Sequence, residues 1–165
     1  FVRENPFKRM WPTFGRGITA GQAPIDAWPR KKGDLVGDGW RIPKPAKRQP
    51  VRHGIYDCNH FKTRAMAGLC TPLGDPGAIA FFRDTPARHK MVAEHVTSEY
   101  PIETEGRGRT VREWKLRPSR DNHLWDCLVG NLVAASMEGC QLKAEKPSKS
   151  KATGRRGRRV STLKY

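Results

Sequence analysis

Acidic residues are scarce in this chain, closely paired cysteines are missing and no long apolar run occurs. Each shortage removes a class of protein. No stretch comes near the ~18 consecutive apolar residues that cross a bilayer, so no membrane-spanning segment is expected. Cys58, Cys70, Cys127 and Cys140 form no CxxC pair, which argues against a zinc ribbon. Two of them sit in apolar surroundings and read as buried thiols of a reducing cytosol. His53, His60, His89, His95 and His123 make no HExxH pattern and have no cysteines at zinc spacing; solvated or core histidines are expected. The glycine-rich "GRGITAG" at 15–21 lacks the GKS or GKT of a phosphate-binding loop and misses the GxGxxG spacing. Ser and Cys residues form no recognisable nucleophile arrangement. The chain opens with neither a secretory signal nor an initiator Met. Its "FVREN" resembles the end of a helix, so the chain reads as a fragment.

Against 16 acidic residues stand 32 Lys and Arg, a net charge of +16. Such an imbalance points to a polyanionic partner, most often nucleic acid, with an acidic membrane surface as the alternative. The hydrophobic fraction, 36%, is low but still allows a core. Charge and apolar content divide the chain. Residues 143–165, "KAEKPSKSKATGRRGRRVSTLKY", carry nine basic residues and one acidic residue. They cannot bury enough surface to fold alone, and read as a disordered basic tail. Within it Arg155, Arg156, Arg158 and Arg159 are candidate DNA contacts. The remaining residues, 1–142, read as one domain and still carry +8 (23 basic against 15 acidic residues).

Local patterns give an order of elements. A strand is expected over Arg9–Phe14. Residues 23–50, rich in Pro, Gly, Trp and Lys, read as an irregular basic insertion with a possible hairpin in "GDLVGDGWRIPKP". A strand from Val51 to Asp57 leads into a helix capped at Asn59 and running to Leu69, with Phe61, Ala65 and Leu69 on one face. "TPLGDPGAIAFF" is turn chemistry followed by a strand, Ala78–Phe82. Asp84 or Thr85 caps the next helix, with Pro86 at its first position. A hairpin with a turn at Gly106–Gly108 follows, then an apolar helix starting at Asp121 or Asn122 and stopping at Gly139. Strand, helix, strand, helix, hairpin, helix is a mixed α/β order.

Two carboxylates carry the possible chemistry. Asp57 ends a strand just before a helix, an edge where ligands collect in open α/β sheets. Asp126 stands inside the apolar run "LWDCLVG", and a buried carboxylate is costly unless something positive satisfies it. The pair could converge on Mg²⁺, which takes a few hard oxygen ligands and keeps several waters. Equally, Asp57 caps the next helix and Asp126 takes a structural ion pair. Arg107, Arg109 and Arg112, with Lys115 beside Trp114, suit a nucleic-acid backbone; a solvated turn is the alternative.

The stretch "TEGRGRTVREWKLRPSRDNHLWDCLVGNLVAAS" resembles the C-terminal end of the large subunit of tailed-phage terminases, in the lambda-like branch. The matching features are a hairpin ending in Trp114, then Asn122, then Asp126-Cys127 in the final helix. "GIYDCNHFKTRAMAGL" is similar to the family's strand ending in Asp followed by a Lys-containing helix, and "HKMVAEHVTSEY" to the helix before the hairpin, ending in Ser98-Glu99. The resemblance covers about residues 51–140. It implies an α/β, ribonuclease H-like nuclease domain, incomplete at its N-terminus and without the ATPase domain that precedes it in the family. It further implies a Mg²⁺- or Mn²⁺-dependent endodeoxyribonuclease cutting concatemeric viral DNA during packaging, with little activity expected of this chain on its own. Asp57 and Asp126 are its catalytic metal ligands, with Asp121 a further candidate. Partners would be double-stranded DNA, the terminase small subunit and the portal, with no membrane partner, in a host cytoplasm or from a prophage. A non-catalytic basic nucleic-acid-binding protein is the alternative.

Overall fold

The computed structural model describes residues 12–46 and 51–140. The expected helix end at Phe1–Asn5 and the basic tail, with Arg155, Arg156, Arg158 and Arg159, lie outside them.

The described residues form a mixed α/β fold with a four-stranded sheet, a separate two-stranded sheet and three α-helices. The strands of the first sheet are β1 (Thr13–Arg16), β2 (Leu35–Gly37), β3 (Trp40–Ile42) and β4 (Gly54–Asp57), in the order β1-β4-β3-β2. β1 runs parallel to β4, with Arg16 opposite Asp57, while β4, β3 and β2 are antiparallel neighbours. The strand expected over Arg9–Phe14 lies partly outside the described residues; within them β1 ends at Arg16, two residues beyond Phe14.

The hairpin inside 33–45 forms, but the surrounding stretch is not a solvated insertion. Trp40, Arg41 and Ile42 of β3 are all buried, and β3 lies between β2 and β4 in the sheet. Ile25, on a 3₁₀ turn at Ile25–Ala27, is buried as well. Composition misled here because the Pro, Gly and Lys residues are concentrated around three apolar-facing positions.

Helix α1 (Cys58–Cys70) starts where β4 ends. Its cap is Asp57, not Asn59: the Asp57 carboxylate accepts from the backbone N–H of Asn59 and of His60, groups that the first turn of a helix leaves without partners. Phe61 and Ala65 are fully buried on its inner face. The expected strand Ala78–Phe82 is absent. Gly68 is the reason. A Cβ there would press on the Ile79 side chain and the Gly77 carbonyl at 2.7–2.9 Å, and the Ile79 N–H donates to the Gly68 carbonyl at 2.9 Å. The segment is laid on the helix rather than on a sheet edge, and Phe81 and Phe82 stay exposed.

Helix α2 (Pro86–Val96) has Thr85 as its cap and Pro86 at its first turn, and buries only Val96. Strands β5 (Glu99–Gly106) and β6 (Arg109–Leu116) form the second hairpin. Its two-residue turn has positive φ at Arg107 (51°) and Gly108 (70°), the conformation that matches the twist of the flanking strands. Helix α3 (His123–Met137) buries Trp125, Val129 and Val133. These pack with Trp40, Ile42, Phe61, Ala65 and Val96 in one core. The Trp40 indole N–H donates to the Ser136 hydroxyl at 3.1 Å, tying β3 to α3.

Candidate active site

The stripe that α3 buries decides where Asp126 points. Trp125, Val129 and Val133 are four residues apart and face the core. Asp126, one position on, is turned about 100° away at 3.6 residues per turn, and its side chain is 50% exposed. The expected buried carboxylate is thus a carboxylate at the rim of the core. It still has a positive partner: the Lys62 ammonium stands 3.1 Å from Asp126 Oδ1.

Lys62 is the centre of a compact polar cluster. It projects from α1 between Phe61 and Ala65 and is buried. Its Nζ donates to Glu99 Oε1 at 2.6 Å. Glu99, the first residue of β5, has a side chain only 2% exposed. The Asn122 amide donates to the same Oε1 at 2.7 Å, while Glu99 Oε2 is buried with no hydrogen-bond partner. Burial pulls the Lys62 ammonium toward deprotonation, but the hydrogen bonds and charges of Glu99 and Asp126 outweigh it, and its pKa is raised.

Above this cluster lie Tyr56 and Cys58. Burial pushes the Tyr56 hydroxyl up to about 12, and the charge of Asp126 is among the causes that add to it. Burial also pushes the Cys58 thiol up to about 11, despite the nearby Lys62 charge. A thiol so far above neutrality is protonated at physiological pH and is no activated nucleophile. Of the expected buried cysteines only Cys58 is partly buried; Cys70, Cys127 and Cys140 are exposed.

Asp57 stands at a different place. Its Oδ1 accepts from the backbone N–H of Asn59 (2.9 Å), His60 (3.3 Å) and Ile18 (3.4 Å). Burial raises its pKa, and those three N–H groups oppose the shift. It lines an open groove of about 720 Å³ between α1 and the long hairpin, together with His60, Arg64, Glu103, Arg109 and Arg112. Asp126 is not part of that lining, and the two carboxylates share no hydrogen-bond partner among the described residues. Asp121 is exposed and 3.9 Å from His123. Among the described residues no group of three or more His, Cys, Asp or Glu side chains is arranged to hold a metal ion.

The basic residues of the hairpin divide. Arg109 and Arg112 face the groove, Arg109 also donating to the Thr19 carbonyl at 3.2 Å and Arg112 pairing with Glu103 at 3.1 Å. Arg107 sits exposed in the turn. Lys115 pairs with Glu113 at 3.1 Å, away from the groove lining.

The family model of the terminase large subunit gpA endonuclease domain matches residues 1–147. The chain belongs to that family. No curated protein and no solved structure matches it. In this terminase endonuclease domain, the cluster gathers residues from distant parts of the chain: Lys62 of α1, Glu99 of β5, and Asn122 and Asp126 at the start of α3. Sequence reasoning had singled out Asp126 but not Lys62 or Glu99 as site residues. A signal for Lys62 was present: a charged residue adjoining the apolar stripe Phe61–Ala65–Leu69 requires a buried counter-charge. Nothing local marks Glu99 as that counter-charge, since it stands 37 residues away.

Proposed function

We propose that this domain is the metal-dependent endodeoxyribonuclease of a phage packaging terminase, cutting concatemeric double-stranded DNA, with Mg²⁺ or Mn²⁺ as its cofactor. The observation that carries this reading is the support under Asp126. A half-exposed carboxylate is held at the core's rim by a buried ammonium that is itself fixed by Glu99, the rigid placement a hydrolytic site requires. A ribonuclease H-like arrangement is supported by the parallel pair β1–β4 beside an antiparallel run, with a carboxylate ending β4. Small-subunit and portal contacts, and a host-cytoplasmic setting, follow from the packaging role as part of the same proposal.

Asp126 fits the cofactor best, because its carboxylate is open to solvent and to a cation. Asp57, whose Oδ1 is committed to the α1 cap, is proposed at the edge of the site, and Asp121 as a weaker candidate. With no three-ligand group among the described residues, most of the coordination would come from water, which Mg²⁺ tolerates. When bound, such an ion polarises the phosphodiester and acidifies water. The chain's own part is to orient Asp126 through Lys62 and to hold the duplex. Arg64, Arg109 and Arg112 bring three guanidiniums to the groove for the phosphate backbone, Arg64 paired with Asp38 and Arg112 with Glu103.

The test is nicking of supercoiled plasmid by the full chain with Mn²⁺ or Mg²⁺ and with EDTA. Metal-dependent nicking that Asp126→Asn lowers by at least about a hundredfold is the expected result, a loss on the scale of removing one key stabilising group. Nicking unaffected by Asp126→Asn overturns the assignment. For DNA binding, Arg109→Ala and Arg112→Ala should each flatten the log-log salt dependence by roughly 0.9.

A further inference from the structure

The face of the four-stranded sheet turned away from the core carries a basic hollow that the nuclease reading does not use. Successive side chains of a strand point to opposite faces. Trp40 and Ile42 of β3 go to the core, so Arg41 between them points the other way, beside Ile55 of β4. Arg41 and Ile55 line a hollow of about 700 Å³ together with Trp28, Lys31, Lys32 and Lys44. Asp34 is the one acidic residue in that lining, and its oxygens are committed. Oδ1 accepts from the Lys44 backbone N–H at 2.9 Å, and Oδ2 from the Lys31 backbone N–H at 3.1 Å and from Arg41 Nη2 at 2.6 Å. One carboxylate thus pins both lysine-bearing segments and Arg41 around the hollow. Lys31, Lys32 and Lys44 are exposed, so three positive charges remain beyond the Arg41–Asp34 pair. Arg41 is itself 9% exposed in its side chain, and its Nε is buried with no hydrogen-bond partner. The Trp28 ring is half-buried and fixed, its indole N–H donating to the Ala23 carbonyl at 3.0 Å. The Arg16 and Arg41 guanidiniums stand 5.9 and 5.8 Å from the ring centroid, at the outer limit of a cation–π contact, so neither presses on the ring. No residue of this lining belongs to the groove at Asp57.

We infer that this hollow binds single-stranded DNA, with a base against the Trp28 ring and the neighbouring phosphates on Lys31, Lys32 and Lys44. An aromatic platform beside ammonium groups that follow the backbone is the chemistry that holds single strands without sequence preference. A duplex keeps its bases stacked inside and offers only phosphates, which leaves the ring and the apolar wall at Ile55 without a partner. The ammoniums come from two segments, Lys31 and Lys32 before β2 and Lys44 after β3, an arrangement suited to successive phosphates of one strand. The inference concerns a different face from the cutting site and stands apart from the nuclease reading.

Fluorescence anisotropy of a short labelled oligothymidylate with the full chain, over a range of salt, tests it. Every variant keeps the same C-terminal residues, so differences report on the hollow. Trp28→Leu should weaken binding roughly tenfold, the scale of one lost base stack. Lys31→Ala, Lys32→Ala and Lys44→Ala combined should flatten the log-log salt dependence by about 2, at ~0.7 per phosphate contact on a single strand. These substitutions leave the backbone N–H groups that Asp34 accepts in place. Arg83→Ala, Arg88→Ala and Lys90→Ala combined, which remove as much exposed charge outside the hollow, should leave the slope as it is. If Trp28→Leu does not fold, photocrosslinking of an iodouracil-substituted oligonucleotide to the wild-type chain, mapped by mass spectrometry, decides instead: an adduct at Trp28 supports the site, and adducts confined to other residues overturn it. Binding unchanged by Trp28→Leu, or a slope unchanged by the three lysine substitutions, overturns the inference. So does tighter binding of the matching duplex through the same residues. Displacement of the strand by an equal concentration of thymidine monophosphate also overturns it, since that marks a site for a free nucleotide. Plasmid cutting, read through Asp126→Asn, decides the nuclease reading separately.

Discussion

The two β-hairpins of this domain are held by opposite means. The β2–β3 hairpin has three residues in each strand, yet β3 is buried throughout and is paired on both sides. The β5–β6 hairpin has eight residues in each strand, forms a two-stranded sheet of its own among the described residues and is exposed along most of its length. Among the described residues it is attached by the Trp114 ring, which packs on the core beside Trp125 at 5.8 Å between ring centroids, and by polar bonds. Glu99 is clamped by Lys62, the Trp114 N–H donates to the Asn59 side chain at 3.0 Å, the Trp114 indole donates to Thr63 at 3.1 Å, and Arg109 reaches the Thr19 carbonyl. Burial follows from what a strand lies against, not from its length. The short hairpin is part of the core, and the long one is an arm whose root is also the polar cluster beside Asp126.

Breaking each hairpin at its root sharpens the contrast. Trp40→Ala removes a core indole and its bond to Ser136, and should cost about 3–5 kcal/mol in urea unfolding. Lys62→Met leaves Glu99 buried without its counter-charge and should cost a similar ~3–5 kcal/mol. The same ion pair has a pH signature. Because the folded pKa of Lys62 is raised, its stabilisation is complete below the ordinary lysine value of 10.5 and is lost as pH climbs through the folded value. Alkaline unfolding curves of wild type against Lys62→Met should diverge below that range and converge above it. Asn59→Ala orphans the Trp114 N–H and the Ile18 carbonyl and should cost about 2 kcal/mol. Amide exchange should then quicken across 99–116 while β2–β3 stays protected; equal quickening in both hairpins would mean the arm is no separate unit. Smallest of all, Leu116→Ala, on a side chain already 48% exposed, should change stability by no more than about 0.5 kcal/mol.

Much of the architecture was legible along the chain. The turn at Gly106–Gly108, Pro86 opening α2, and the end of α3 near Gly139 all depend on residues within a few positions of one another. Two local readings failed for reasons outside their own windows. "GAIAFF" has strand character, but Gly68 offers it a helix surface instead of a sheet edge. The 23–50 stretch has the composition of a loop, but Trp40 and Ile42 find the core through β4 and α3. At the candidate site the cap role of Asp57 was one of two open readings and is what the structure shows. The exposure of Asp126 depended on which of several apolar residues α3 would bury, and the apolar run alone did not choose between them.

The sequence by itself determined the three helices, the long hairpin with its turn, and a charge suited to nucleic acid. Those properties come from backbone preferences and composition, which act over a few residues or are simple sums. Only the tertiary structure decided that β3 is a central strand, that α3 buries the Trp125 stripe and turns Asp126 outward, and that Lys62 and Glu99, 37 residues apart, meet beneath it. A buried charge can be satisfied by any opposite charge the fold brings near. Which one it meets is a property of packing, because Coulomb attraction depends on distance in space and carries no memory of distance along the chain.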